Sequence, residues 1–344
     1  MTDLAPTPEQ RELAQAVRGL LERRADSGAV RTAMESADGY DRALWSTLCD
    51  QIGVAALAVP ESCGGAGFSL AETWVALEQL GRSLAPTPLL ASIVSATALE
   101  AVGGSELCAR VASGEIATLA TGATWNGTFL DGSLSPVLWG RQASILLVAA
   151  EHAAGIGLFH VDAEAAGLAR TALTPLDPTT PFARIELTEV AAQALTLDAT
   201  AALAAADRAG ILATTALQVG CAQRGLDMTV AYAKEREQFG RPIGSFQALK
   251  HRLADLFVRV QMSRSGSWAA VQAQVTDAPD ADRLAAAAAS YCAEAVTAVG
   301  AETVQLHGGI GITWEHDAHL VLKRAQVLRE LFGAPHQHRA ALIE

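Results

Sequence analysis

Arg236-Glu237-Gln238-Phe239-Gly240-Arg241-Pro242-Ile243-Gly244-Ser245-Phe246-Gln247 separates two long helical patterns, and its reading decides how the rest of the chain is arranged. Gly240, Pro242 and Gly244 punctuate it as a tight connection. Within it Arg236 offers a guanidinium, Phe239 an aromatic face and Gln247 an amide, a set suited to a phosphate beside a planar ring. Further on, Gln305-Leu306-His307-Gly308-Gly309-Ile310-Gly311 supplies a second phosphate-compatible element, because glycines let backbone N–H groups come close to an anion.

Around these two stretches the pattern is helical. Residues 198–234 carry Ala, Leu and Val at helical spacing, and residues 246–275 repeat it with Leu249, Leu253, Leu256, Phe257 and Val260 on one face. Residues 280–306 and 313–332 predict two more helices. Small residues are frequent throughout, as expected of a close-packed bundle. At the other end, Thr7 caps a helix over 7–27 with Pro8 at its first position. Residues 41–52, 69–80 and 86–99 predict further helices. Val59 to Phe68 is glycine-rich but lacks the Lys-Ser/Thr of a nucleotide loop and a preceding strand, so it reads as a turn. Between the helical parts, Ile116 to Val190 alternates turn signals with short apolar runs, predicting a small antiparallel β module. The expected fold is mainly α with a small β domain: an N-terminal helical domain (1–115), a reduced middle β domain (116–197) and a C-terminal four-helix bundle (198–344).

Composition narrows the function. A net charge of −12 and a pI near 5.1 exclude the basic stripe that nucleic acid requires. The five cysteines are scattered without metal or disulfide spacing. The N-terminus carries no signal-peptide pattern and the apolar stretches read as too short for a membrane span, so a cytoplasmic enzyme or subunit is expected.

With helical, β and helical parts in this order, Arg236-Glu-Gln-Phe-Gly-Arg-Pro-Ile and Gln305-Leu-His-Gly-Gly-Ile-Gly resemble the acyl-CoA dehydrogenase family. The resemblance covers nearly the whole chain in outline, most closely in the last third. It implies FAD bound across a subunit interface, a carboxylate that removes the α-proton of an acyl thioester, and a flavin that takes the hydride from Cβ. By position it assigns the ADP half of FAD to Arg236, Phe239, Ile243, Gln247, Gln305, Gly308 and Gly309.

Other family features are missing. The Thr-Glu-Pro…Gly-Ser-Asp stretch has no counterpart in residues 122–132. Pro136 and Leu138 stand where an aromatic and a hydroxyl meet the flavin. Trp125 and Trp139 read as packing residues. The family's catalytic Glu positions fall on Phe332 and Gly210, leaving Asp207 and Glu330 as the nearest acids. His307, His316, His336 and His338 match no catalytic position and are expected to cap or to be exposed. The chain is therefore similar to the short, non-catalytic subunit of actinobacterial steroid-CoA dehydrogenases, heterotetramers whose FAD is shared with a catalytic subunit. That resemblance implies an acyl-CoA or steroid-CoA substrate and an electron-transfer flavoprotein as acceptor. Two other readings stay open: a self-sufficient homomeric enzyme using Asp207 or Glu330, and a scaffold that has lost flavin.

Overall fold

The structure, a computed structural model, describes residues 5–343. Six helices come first: α1 (Pro8–Arg24), α2 (Ser27–Glu35), α3 (Arg42–Thr47), α4 (Leu70–Ser83), α5 (Leu89–Ala101) and α6 (Ser105–Ala112). Strands β1 (Ala117–Trp125), β2 (Phe129–Leu138), β3 (Ile145–His152), β4 (Gly155–Val161), β5 (Leu168–Ala172), β6 (Phe182–Ala191) and β7 (Gln193–Thr196) follow. The chain then runs through α7 (Thr200–Glu235), the short strands β8 (Glu237–Gln238) and β9 (Arg241–Pro242), α8 (Gln247–Val275), α9 (Ala281–His307), α10 (Ala318–Glu330) and α11 (Pro335–Ala340).

Local chemistry starts these helices where the sequence places them. Thr7 Oγ1 accepts from Gln10 N–H at 3.2 Å while Gln10 Oε1 accepts from Thr7 N–H at 2.9 Å, a reciprocal cap with Pro8 behind it. Asp41 accepts from the N–H groups of Ala43 and Leu44. The expected helix over 7–27 instead stops at Arg24 and restarts, because Asp26 Oδ1 takes the Ala29 N–H at 2.8 Å and opens α2. Helices α2 and α6 are additional to those the sequence pattern predicts.

By contact the chain falls into two compact bodies. One comprises Thr32–Thr73 and Pro86–Gly210. Its seven strands lie in the order β5-β6-β2-β1-β3-β4-β7. The sheet is mixed rather than antiparallel as expected: β1 and β3 run parallel, with Ala117 opposite Ile145 and Ala120 opposite Val148. β3 is buried from Ile145 through Ala150, the continuous apolar run that a strand covered on both faces needs. Leu130, Leu134, Leu146, Phe159, Ile185 and Val190 form the centre of the sheet's core.

The other body holds the chain up to Arg31, Trp74–Ala85 and the chain from Ile211 onward. Its helices approach closely through glycine. A Cβ on Gly81 would lie 2.4 Å from the Leu217 carbonyl oxygen, and one on Gly220 would lie 2.0 Å from that of Glu78. Trp74 Nε1 donates to Ser267 Oγ at 2.7 Å, and the Trp74 and Trp268 rings meet edge to face at 5.1 Å. Leu212, Val260, Val296, Val299 and Val321 are fully buried, each contributing about 1.5–3 kcal/mol.

Two expectations fail in this body. Phe257, read with the buried face of α8, is 55% exposed beside Val258 and Met262, because Leu256 and Val260 take the inward positions. The segment Ala281–Ile312 is, contrary to expectation, long and apolar enough to cross a membrane. Yet 61% of its apolar window is buried within the protein, as in the core helix of a bundle.

Candidate functional site

The decisive stretch folds as a hairpin standing off the end of α7. Glu237 pairs with Pro242 and Gln238 with Arg241, and the tip residues Phe239 and Gly240 have φ of 54° and 75°. Positive φ at both central residues is the requirement of the tightest two-residue hairpin turn. For a phenylalanine it costs about 1–2 kcal/mol, and the ring it presents is 91% exposed. Ile243 N–H donates to the Arg236 carbonyl at 2.8 Å and closes the loop. Gly244 passes so near α7 that a Cβ would sit 2.8 Å from the Ala233 carbonyl oxygen.

The cations of this region divide. Arg241 stacks its guanidinium 4.0 Å over the Phe246 ring, and Arg252 Nε is bound to Glu302 at 2.8 Å. The Arg236 side chain is exposed and makes no hydrogen bond or ion pair among the described residues. Gln247 is exposed at the start of α8, and Ile243 is half-buried.

The second element follows α9. Gly308 has φ 63° and ψ −141°, a conformation open to glycine, and its N–H donates to the Gln305 carbonyl. Neither Gly308 nor Gly309 has any atom within 4 Å of where a Cβ would stand, so the turn is open to solvent, as is Gln305. An unpaired guanidinium and an uncovered glycine turn fit a diphosphate.

Of the histidines beside this turn, His307 and His319 are buried, while His316 caps the start of α10 in line with the sequence expectation. His307 is 3% exposed, and its ring stacks on Tyr232 at 4.5 Å and lies 4.5 Å from His316. Its Nδ1 donates to the Thr303 carbonyl at 2.6 Å. His316 Nδ1 accepts from Ala318 N–H, and His319 stacks on Trp314 at 5.0 Å. Burial holds all three imidazoles below their ordinary range, so they are neutral at pH 7. Next to His316, the buried Asp317 accepts from Ser27 at 2.6 Å, Arg31 at 2.9 Å and Arg224 at 3.2 Å. Burial pushes its carboxyl up, but the Ser27 and Arg31 hydrogen bonds and the arginine charges outweigh that and hold it below the usual range. His336 is exposed, and His338 Nε2 reaches the Gly333 carbonyl at 3.1 Å.

The glycine-rich loop after Val59 offers no anion cradle. Gly64, Gly65 and Gly67 donate to Glu61, Pro60 and Val59, and a Cβ on Gly65 would strike the Val59 carbonyl at 2.0 Å. Trp139 is buried edge to face with Tyr40 at 5.5 Å, and Trp125 packs against Phe159. Pro136 is exposed and the Leu138 carbonyl accepts from Thr118, and neither side chain carries a hydrogen-bond donor.

Comparison with known proteins bears on the whole chain. The family models described as acyl-CoA dehydrogenase N-terminal and C-terminal domains match residues 7–115 and 208–344. Acyl-CoA dehydrogenase IpdE2 of Mycolicibacterium smegmatis is 42% identical over 331 residues, covering 96% of each chain. The chain belongs to the acyl-CoA dehydrogenase family. Among solved structures, the ChsE4–ChsE5 complex from Mycobacterium tuberculosis is 32% identical with a TM-score of 0.91, covering 99% of this chain and 98% of the matched one. A Tcur3481–Tcur3483 steroid ACAD variant is 31% identical with a TM-score of 0.88, covering 97% and 96%.

Structures of acyl-CoA dehydrogenases are FAD flavoproteins, and the family's activity is oxidation of an acyl-CoA. In this acyl-CoA dehydrogenase chain Phe332 is half-buried with φ 56° just beyond α10, and Gly210 is buried inside α7. Glu330 is 62% exposed on its side chain, 3.6 Å from Arg329, and Asp207 is exposed on α7. Neither acid has the desolvated setting that tunes a carboxylate into a base. The Tyr232–His307–His316 contacts had no sequence signal beyond helix-end position, since the partners come from separate segments.

Proposed function

We propose that this chain is the cofactor-supporting subunit of a heteromeric acyl-CoA dehydrogenase, holding the ADP half of an FAD whose flavin and catalytic base belong to a partner subunit. One observation carries the reading. The outward-facing set of Arg236, Phe239, Gln247, Gln305, Gly308 and Gly309 is whole, while the family's base positions hold Phe332 and Gly210. Phe257, Val258 and Met262, each more than half exposed on α8, give a partner subunit an apolar face to cover.

Arg236 would bind the diphosphate, Phe239 and Ile243 would bound the adenosine side, and Gln247 and Gln305 would hydrogen-bond it. The backbone at Gly308 and Gly309 would approach it closely. Bound FAD supplies the hydride acceptor. The mixed assembly named in the ChsE4–ChsE5 complex supports a partner of the same family. The Tcur3481–Tcur3483 steroid ACAD supports a steroid-CoA thioester as substrate, converted to its α,β-enoyl-CoA. An electron-transfer flavoprotein in the cytoplasm would then take the electrons.

The test is visible flavin absorbance of this chain alone and after co-expression with a catalytic acyl-CoA dehydrogenase subunit from the same source. The reading expects a colourless chain alone and a yellow, active complex, with Arg236→Ala losing FAD while the chain stays folded. A chain that is yellow alone and reduced by acyl-CoA would overturn it and return Asp207 and Glu330 as candidate bases.

A further inference from the structure

The two cofactor-facing elements lie on separate segments, and something must fix the distance between them. We infer that the Tyr232–His307–His316 ring stack is that device, a positioning element that registers the Arg236 hairpin against the Gly308–Gly309 turn. This rests on the ADP-half reading above.

Tyr232 stands one helical turn before Arg236, and its carbonyl accepts the Arg236 N–H at 2.8 Å. Its ring lies 4.5 Å from His307 at an interplanar angle of 28°. His307 immediately precedes Gly308. It donates to the Thr303 carbonyl in its own helix. One ring contact thus ties the last turn of α9 to the last turns of α7. The His316 ring lies 4.5 Å from that of His307, tilted by 48°, and comes from beyond the turn that begins at Gly308. The neighbouring Asp317 is itself anchored by Ser27, Arg31 and Arg224. Gly308 and Gly309 have open space around them, and the turn is backed at Gly311 by Val304 and by His307, the residue that carries the stack. Around metal sites, removing the groups that orient the ligands from behind changes affinity about tenfold or more, and an effect of that order is expected here.

The experiment uses Tyr232→Leu and Tyr232→Phe in the complex with the catalytic partner, with FAD as the probe and Arg236→Ala as reference. Amide exchange of Gly308–Gly311 is followed in the chain alone. Tyr232→Leu is expected to release FAD about tenfold faster, with turnover per bound flavin unchanged, and to raise exchange at the turn. Tyr232→Phe, which keeps the ring, is expected to match the wild type in both. The inference is overturned if Tyr232→Leu keeps FAD as the wild type does while Arg236→Ala loses it. If Arg236→Ala itself keeps FAD, the ADP-half reading falls instead, and faster exchange at Gly308–Gly311 in Tyr232→Leu still supports the stack's role in placing the turn.

Discussion

Replacing Asp317 with alanine isolates the anchor behind the glycine turn. The carboxylate is 9% exposed as a residue and is shared by Ser27, Arg31 and Arg224. Its loss strands charges unequally. The Arg224 side chain is 38% exposed and can rehydrate, so its share is small. The Arg31 side chain is 16% exposed, and its Nη1 is already buried without a partner. Breaking a buried ion pair from one side costs about 3–5 kcal/mol, because the surviving charge is left uncompensated. With partial burial the lower end applies, about 3 kcal/mol. In a body of this size that lowers the melting temperature by roughly 6–12 °C. Calorimetry at pH 7.5 measures it, and the double variant Asp317→Ala/Arg31→Met separates the cause. If the stranded guanidinium carries the cost, removing it restores part of the lost stability. A single variant melting within about 2 °C of wild type, or a double variant no more stable than the single, would refute the reasoning.

Other consequences follow from the same geometry. The imidazoles of His307, His316 and His319 are depressed by burial below the unfolded value of 6.5, so acidification protonates the unfolded chain first. Stability should therefore fall as pH drops from about 6.5 through the folded values, by up to about 1.4 kcal/mol per pH unit for each histidine. Urea midpoints at pH 7.5 and 5.5 test this, and equal midpoints would contradict it. Gly220→Ala should destabilise despite its better helix propensity, because its Cβ meets the Glu78 backbone at 2.0 Å. Gly266→Ala, with nothing within 4 Å, should instead gain up to about 1 kcal/mol in the chain alone; urea unfolding reads the two signs.

The sequence was most legible where structure is set within a few residues. Thr7, Asp41 and Ser69 each start a helix through hydrogen bonds to the next turn. The glycines of the Phe239–Gly240 hairpin and the Gly308 turn announce themselves by backbone conformation alone. Reading failed where the outcome depends on distant partners. The parallel pairing of β1 with β3 sets Ala117 against Ile145, and no local pattern encodes that register. Phe257 looks like its buried neighbours by hydrophobicity, yet Leu256 and Val260 occupy the inward side. His307 was read from its helix-end position, while its burial comes from Tyr232 and His316, remote in sequence. The interrupting charges of α9 suggest a span too short for a membrane, whereas its neighbours in the bundle decide what it faces.

The crossing of α4 and α7 has a mechanical consequence. Gly81 faces the carbonyl of Leu217 while Gly220 faces that of Glu78, a reciprocal pair offset by the same spacing on both helices. Sliding either helix by one residue would set a side chain where there is room only for hydrogen. The joint has a single setting, and shear between the two helices is barred. Any movement that reaches Trp74–Ala85 must be carried with the adjoining turns of α7 as one rigid piece, by rotation rather than by slippage.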